Sequence, residues 1–231
     1  MINSEKQRIA VVTGGSSGIG AAIVLKLAQE GIKVVIADII PSEKSHENIR
    51  YRFCNVTNSE NVDSLYQWVT AELGEPCILV LNAGMGIHER LLEGDPEKWQ
   101  QVFDLNIMGA LRIIRAFAPL MKKNNAGDIV FVSSVSSGQP YQYGGIYAAS
   151  KTALDIIAET LRLETAPDIR VSSINAGSTA TGFFESAGHT VPEGAVQLRP
   201  EDIAEDVWYL LTRPKHASIN KIVIRPKGQS F

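Results

Sequence analysis

A phenol and an ammonium ion four residues apart on one helix make a proton-transfer pair, and Tyr147 and Lys151 have that spacing. They lie in G-G-I-Y-A-A-S-K, Gly144 to Lys151, which leads into Ala153, Leu154, Ile156, Ile157 and Leu161. That apolar pattern has helical spacing, so the stretch opens a helix. Residues four apart share a helix face, which points both side chains into the same space. A free tyrosine has a pKa near ~10 and is a poor base at neutral pH. A neighbouring cation favours the phenolate and lowers that value, which suits general acid/base work. The same pair would be inert on a solvated helix surface, so the rest of the chain has to decide.

Ile9 to Thr13 is a short apolar run that reads as a buried strand. It enters T-G-G-S-S-G-I-G, Thr13 to Gly20, and a helical pattern follows through Ala21, Ile23, Val24, Leu27 and Ala28. Gly31 reads as the stop of that helix. Lys33 to Ala37 is a second strand, closed by Asp38. Glycines in such a turn let backbone N–H groups approach a pyrophosphate, and the helix N-terminus favours its charge. An acid ending the second strand accepts hydrogen bonds from a ribose. The glycine spacing is G-x-x-x-G-x-G rather than G-x-G-x-x-G. A tight turn alone would look similar, but the complete unit with its acid points to nucleotide binding.

The remaining segments continue the alternation. Ile39 to Arg50 reads as a loop or a single turn. Arg50 to Cys54 is a third strand, followed by Asn55 and Val56, and Val62 to Leu73 has helical spacing. Cys77 to Leu81 is a fourth strand ending in Asn82-Ala83-Gly84. A long helix is expected from Pro96 to Lys123, with Asn106 interrupting its apolar stripe. An asparagine among buried positions must find partners. Gly127 to Ser133 is a fifth strand, with Ser134 at its end, and Ile169 to Ile174 a sixth, before Asn175-Ala176-Gly177. Ser178 to Arg199 is irregular and reads as a flap. Glu201 to Leu211 is a helix and Lys221 to Ile224 the last strand. Strands alternating with helices predict an α/β fold: a Rossmann-like, doubly wound, mostly parallel sheet with helices on both faces. With the first strand central, Cys54 and Cys77 fall on opposite sides of the early half-sheet and cannot be bridged.

Bulk properties narrow the classes. The 231 residues are 45% hydrophobic and 20% charged, with a net charge of -3. That is ordinary for a globular protein and fits one domain over 1–231. No basic block suggests nucleic acid, and no apolar run suggests a membrane span. The cysteines have no metal-ligand spacing, so no metal is expected, and free thiols fit a cytoplasmic setting.

Thr13 to Gly20, Asn82-Ala83-Gly84, Asn106, Ser134, Tyr147 and Lys151 occur in the order and spacing of the short-chain dehydrogenase/reductase family, and Ser134 and Tyr147 stand thirteen apart as in that family. The resemblance runs from Ile9 to the last strand. It implies an oxidoreductase acting on a small alcohol or ketone. Tyr147 would be the acid/base, Lys151 would bond the nicotinamide ribose and lower the Tyr147 pKa, Ser134 would hold the substrate oxygen, and Asn106 would anchor a relay water. The implied cofactor set is Gly14, Ser16, Ser17, Gly18, Ile19, Gly20, Asp38, Asn55, Val56, Asn82, Ala83, Gly84, Tyr147, Lys151, Thr179 and Thr181. A homodimer or homotetramer is implied as well.

The chain departs from the family pattern at Asn55-Val56 instead of Asp-Val, at Ala176-Gly177 instead of Pro-Gly, and in a tail without Asp-Gly-Gly. The expected cofactor is NAD, because Asp38 would repel a 2′-phosphate and neither Ser17 nor Ile39 supplies a cation. An NADPH-dependent carbonyl reductase and a nucleotide sensor without turnover remain alternatives on the same fold. Tyr141, Tyr143, Phe183, Phe184 and His189 are the candidate pocket borders.

Overall fold

The computed structural model describes residues 7–125, 127–188, 190 and 194–229. His189, one of the candidate pocket borders, lies outside them. Seven strands form one all-parallel sheet in the order β3-β2-β1-β4-β5-β6-β7. They are β1 (Ile9–Thr13), β2 (Lys33–Asp38), β3 (Ile49–Phe53), β4 (Ile78–Leu81), β5 (Asp128–Ser134), β6 (Arg170–Ala176) and β7 (Lys221–Ile224). The order reverses between β1 and β4, and in open parallel sheets ligands bind in the crevice beyond the strand ends at such a point.

Every residue of β1, β4 and β5 is buried. That explains their unbroken apolar runs, since a parallel sheet is covered on both faces. The period of two divides these residues between two cores. Val11, Val35, Leu79, Ile129 and Phe131 face helices α2 (Ser59–Glu72), α4 (Gly109–Lys123) and α5 (Gly145–Thr165). Val12, Val34, Ile36, Val80 and Val130 face α1 (Gly18–Gln29) and α7 (Pro200–Leu211). No helix among the described residues is long and apolar enough to cross a membrane. Cys54 and Cys77 are free, and burial pushes the Cys54 thiol up to about 11.

The expected helix from Pro96 to Lys123 is not continuous. It consists of α3 (Pro96–Phe103), a π-helical turn at Asp104–Met108, and α4. A π turn inserts one residue and rotates the face that follows it. Here it carries Asn106 inward to zero exposure. The flap contains a four-residue helix, α6 (Phe183–Ser186), and a bridge from Thr179 to Leu198.

The crevice depends on how closely α1 approaches the end of β1. Gly14 and Gly18 have φ of +63° and +50°, which side-chain-bearing residues rarely adopt. Gly20 is inside the helix, yet a Cβ there would collide with the Gly14 carbonyl and crowd the Asn82 amide. Helix propensity alone would make Gly20→Ala a gain of about 1 kcal/mol. Overpacking against backbone costs about 1–3 kcal/mol and outweighs it. Gly20→Ala should therefore lower the melting temperature, by about 4 °C for a chain of this size. A raised melting temperature in a thermal scan would show that the turn relaxes freely.

Candidate active site

The ends of β1, β2, β4 and β5 and the helices α1 and α5 build the site. Thr13 ends β1, and its hydroxyl accepts from the Asn82 and Ala83 amides at 3.0 and 3.1 Å while donating to Val80. The Asn82 side chain donates to the Thr13 and Gly14 carbonyls at 3.0 and 2.9 Å. The turn after β4 is thus laced to the Gly-rich turn by side chains that replace ladder bonds. Asp38 ends β2, and its carboxylate accepts from the Ser16 and Ile40 amides at 3.0 and 3.2 Å.

Together these elements border a cleft of about 1540 Å³. It is lined by Gly14, Ser17, Gly18, Ile19, Asp38, Asn55, Val56, Asn82, Ala83, Gly84, Ser134, Tyr147, Lys151, Thr179 and Thr181. Ser16 and Gly20 of the expected set do not line it: Ser16 bonds Asp38 and the Ile40 carbonyl, and Gly20 lies against the Gly14 carbonyl. Asn106 stands beneath the wall rather than in it. The volume exceeds the 300–1,000 Å³ usual for a small-ligand site. Ser17 caps α1 without a side-chain bond, so the first-turn N–H groups are left for an anion at the helix N-terminus. The glycine cradle, the uncapped helix and the Asp38 carboxylate fit a dinucleotide.

The residues expected to react, Ser134, Tyr147 and Lys151, lie where β5 meets α5. Tyr147 is 9% exposed and Lys151 5%. Ser134 stands close enough to the Tyr147 phenol to lower its pKa, while its hydroxyl donates to Ser136 Oγ and accepts from the Ser136 amide, both at 3.1 Å. Lys151 Nζ donates to the Val132 carbonyl at 2.9 Å and lies 5.7 Å from the Tyr147 ring centroid. Burial drives the lysine down to about 8, against the opposing pull of Asp155. Burial pushes the Tyr147 phenol above its ordinary value, Ser134 lowers it, and Tyr141 adds to the rise. The expected lowering by Lys151 is absent in this arrangement, because the ammonium is turned to a backbone carbonyl. Desolvation outweighs proximity.

Asn106 satisfies its whole amide, as a buried asparagine must. Its Oδ1 accepts from the Met85 amide at 2.8 Å, and its Nδ2 donates to the Met85 carbonyl and Ser150 Oγ, both at 2.9 Å. Ser150 passes the link on to the Tyr147 carbonyl at 2.7 Å. The side chain of Asn106, the residue expected to anchor a relay water, ties the loop after β4 to α5. Ser150 is the residue the pattern reading passed over, and its only signal was a polar side chain on the apolar face of α5. Asn55 is likewise engaged, accepting from the Thr57 amide and hydroxyl at 3.0 and 2.9 Å.

The flap folds over the cleft. The Thr181 methyl abuts Gly18, and the Thr179 hydroxyl donates to the Gly177 carbonyl at 3.0 Å. The Phe183 ring packs 5.4 Å from that of Tyr147 and lies against Gly86. Tyr141, Tyr143, Phe183 and Phe184 all line the cleft, joined by Met85, Ile87 and His88. Tyr143 has φ of +66°, a conformation costing roughly 1–2 kcal/mol. It is held by the Glu89 amide on its carbonyl at 2.9 Å and by Arg90 and His88 on its ring. The tail reaches the cleft without the Asp-Gly-Gly ending: Lys227, Gly228 and Gln229 line it, and Gln229 Oε1 accepts from the Ser178 amide at 3.1 Å.

The short-chain dehydrogenase family model matches residues 8–192, and the chain belongs to that family of oxidoreductases. An uncharacterised oxidoreductase of Staphylococcus aureus (strain USA300) is 33% identical over 227 residues, covering 95% of this chain and 97% of its own. A closed form of serine dehydrogenase complexed with NADP+ superposes with a TM-score of 0.90 at 28% identity, over 96% of each chain. An alcohol dehydrogenase of the archaeon Thermococcus sibiricus, complexed with 5-hydroxy-NADP, gives 0.86 at 28% identity over 96% of this chain and 98% of that one.

Lys151 carries a stability cost. Its folded pKa is depressed to about 8 from 10.5, a difference of about 3 kcal/mol. Below pH 8 both folded and unfolded chains hold the proton and the cost is full. Between about 8 and 10.5 the unfolded chain binds more protons, so folding gains with rising pH. Lys151→Met should therefore raise stability at pH 7 by roughly 2 kcal/mol, part of the gain being lost to the unpaired Val132 carbonyl. Urea titrations should show that gain shrinking as pH climbs through 8 towards 10.5. A gain independent of pH would contradict a buried ammonium.

Proposed function

We propose that the protein is an NAD-dependent dehydrogenase/reductase that interconverts a small alcohol and its ketone, with Tyr147 moving the proton. The observation that carries this is the meeting of Ser134, Tyr147 and Lys151 on one cleft, with the lysine buried one turn along α5 from the phenol. A sensor without turnover has no use for a lysine buried at such cost.

A bound nicotinamide supplies the hydride donor or acceptor. The chain's own residues handle the proton and the geometry. Ser134 holds the substrate oxygen beside the phenol. In reduction Tyr147 donates its proton to that oxygen, and its raised pKa keeps the proton in place until negative charge develops there. In oxidation the Tyr147 phenolate accepts the alcohol proton, and Lys151, charged below about pH 8, would stabilise that phenolate once its ammonium turned from the Val132 carbonyl towards it. Phe183, Tyr141, Met85 and Ile87 exclude water from this step and favour an apolar substrate.

Gly14, Gly18, Ile19 and the N-terminus of α1 would hold the pyrophosphate, Asp38 the adenosine ribose, and Thr179 and Thr181 the nicotinamide end. Two copies, or four, would bury the apolar side chains of the π turn and α5, where Met108, Ile156 and Leu163 are 45%, 65% and 70% exposed.

Tyr147→Phe keeps the ring that packs on Phe183. It should lower kcat by at least about 100-fold and leave cofactor affinity nearly unchanged. Steady-state kinetics beside a cofactor titration make the comparison, and near-normal turnover would remove Tyr147 from the mechanism.

The NADP-bound relatives favour a second reading, in which the cofactor carries a 2′-phosphate. Against it stands Asp38, whose carboxylate is pinned towards the cleft by two amides with Ser17 and Ile39 beside it instead of cations. A ten-fold preference for NAD in kcat/KM is expected, which takes only about 1.4 kcal/mol of repulsion. Asp38→Asn should narrow that ratio. Equal values in the unmodified enzyme, or a preference for NADP, would overturn the NAD reading.

A further inference from the structure

Behind Ser134 and Lys151 lies a polar cluster that the proposed chemistry leaves unused. Asp155 sits one turn beyond Lys151 on α5, so both side chains share a helix face. Its Oδ2 accepts from Ser137 Oγ at 2.8 Å, Asn175 Nδ2 at 2.8 Å and Lys221 Nζ at 2.6 Å. Its Oδ1 is buried with no hydrogen-bond partner among the described residues. Asn175, on β6, also donates to the Ser134 carbonyl at 3.0 Å and to Ser137 Oγ at 2.6 Å. Lys221 comes from β7. One carboxylate therefore draws together β6, β7, α5 and the 3₁₀ turn that follows β5.

A carboxylate at a mostly apolar junction needs a reason, because hydrophobic residues of the same volume pack there at no desolvation cost. Its donors answer part of the question. Burial alone would raise its pKa, and Lys221, Asn175, Ser133 and Ser137 together hold it below the ordinary value. Asp155 thus stays charged through the neutral range. The other part is Lys151. Two features of its surroundings compete, burial driving the ammonium towards the neutral form and Asp155 opposing that. Tyr147 on α5, Tyr141 before it and Lys221 on β7 are the other titratable groups facing this pair, and none of them supplies a negative charge at neutral pH.

We infer that Asp155 is a positioning residue with two tasks: it keeps the buried Lys151 charged, and through Asn175 it fixes the backbone of Ser134. Lys221 sets the strength of the first task by partly neutralising the carboxylate from the far side. The inference rests on the Tyr147 mechanism proposed above only where turnover is concerned; the charge state of Lys151 can be read without any catalysis.

The test is an NMR titration of the Lys151 side chain, ¹³C-labelled at Cε, in the unmodified protein and in two variants. Asp155→Asn removes the negative charge and keeps the shape, so the Lys151 midpoint should fall, by about one pH unit. Lys221→Met removes the outer cation, so the midpoint should rise. Opposite signs from two substitutions of one ion pair are not the signature of general loosening. Asp155→Glu should restore the midpoint at least in part. The alkaline limb of kcat should move with each midpoint. If Asp155→Asn does not fold, Lys221→Met still decides the sign. Midpoints that stay put in the folded variants, or move in the same direction, overturn the inference. Midpoints that move as expected while kcat ignores them support Asp155 as the charge-keeper and refute the mechanism assigned to Lys151.

Discussion

A positive charge is held in the interior beside β5, and the surrounding structure depends on how it is kept there. Lys151 is 5% exposed, and an unpaired buried ammonium tends to shed its proton rather than stay charged. Two things oppose that loss. The Val132 carbonyl accepts a hydrogen bond from it, and Asp155 lends a negative field from one turn away. A protein selected for stability alone would bury a methionine or leucine at this position. Retaining the lysine costs about 3 kcal/mol, a large share of the 5–15 kcal/mol by which a typical domain is stable. Such a cost is ordinarily tolerated where a charge serves chemistry.

Much of the architecture was legible because it follows from periodicity. Continuous apolar runs such as Ile9 to Val12 and Ile78 to Leu81 announce strands covered on both faces, and the helical repeats between them impose a parallel order. The glycine turn was legible because backbone approach leaves few substitutes: nothing larger than hydrogen fits between Gly20 and the Gly14 carbonyl. Asn106 was visible as a polar residue in an apolar stripe. The π turn that rotates it inward was not, since a single inserted residue barely disturbs an apolar repeat of 3.6.

Interactions between segments far apart in the chain left no such trace. Asp155 looks like one of several acids on a helix, and only the fold brings Lys221 to it across 66 residues of chain. The sign of the Tyr147 shift was misjudged for a related reason. Sequence gives the distance between two charges along a helix, but neither the depth of burial nor the carbonyl that captures the ammonium. Nor does sequence show which neighbours engage the side chains of Asn106 and Asn55. For Ser16 and Gly20 sequence gives membership of the turn, but not the bonds of Ser16 to Asp38 and Ile40 or the closeness of Gly20 to the Gly14 carbonyl.

The choice between the two nicotinamide dinucleotides shows how fold and site divide the work. A TM-score of 0.90 at 28% identity means the same strands, crossings and crevice. Those features place a helix N-terminus at a pyrophosphate, which NAD and NADP have in common. What separates the two ligands is one phosphate at the ribose, and a ten-fold preference needs only ~1.4 kcal/mol. A sum that small can reside in a single side chain and leave the backbone unmoved. The relevant comparison is therefore between Asp38, with its two amide donors, and whatever occupies the end of β2 in each relative. Likeness over the other strands carries no weight in it.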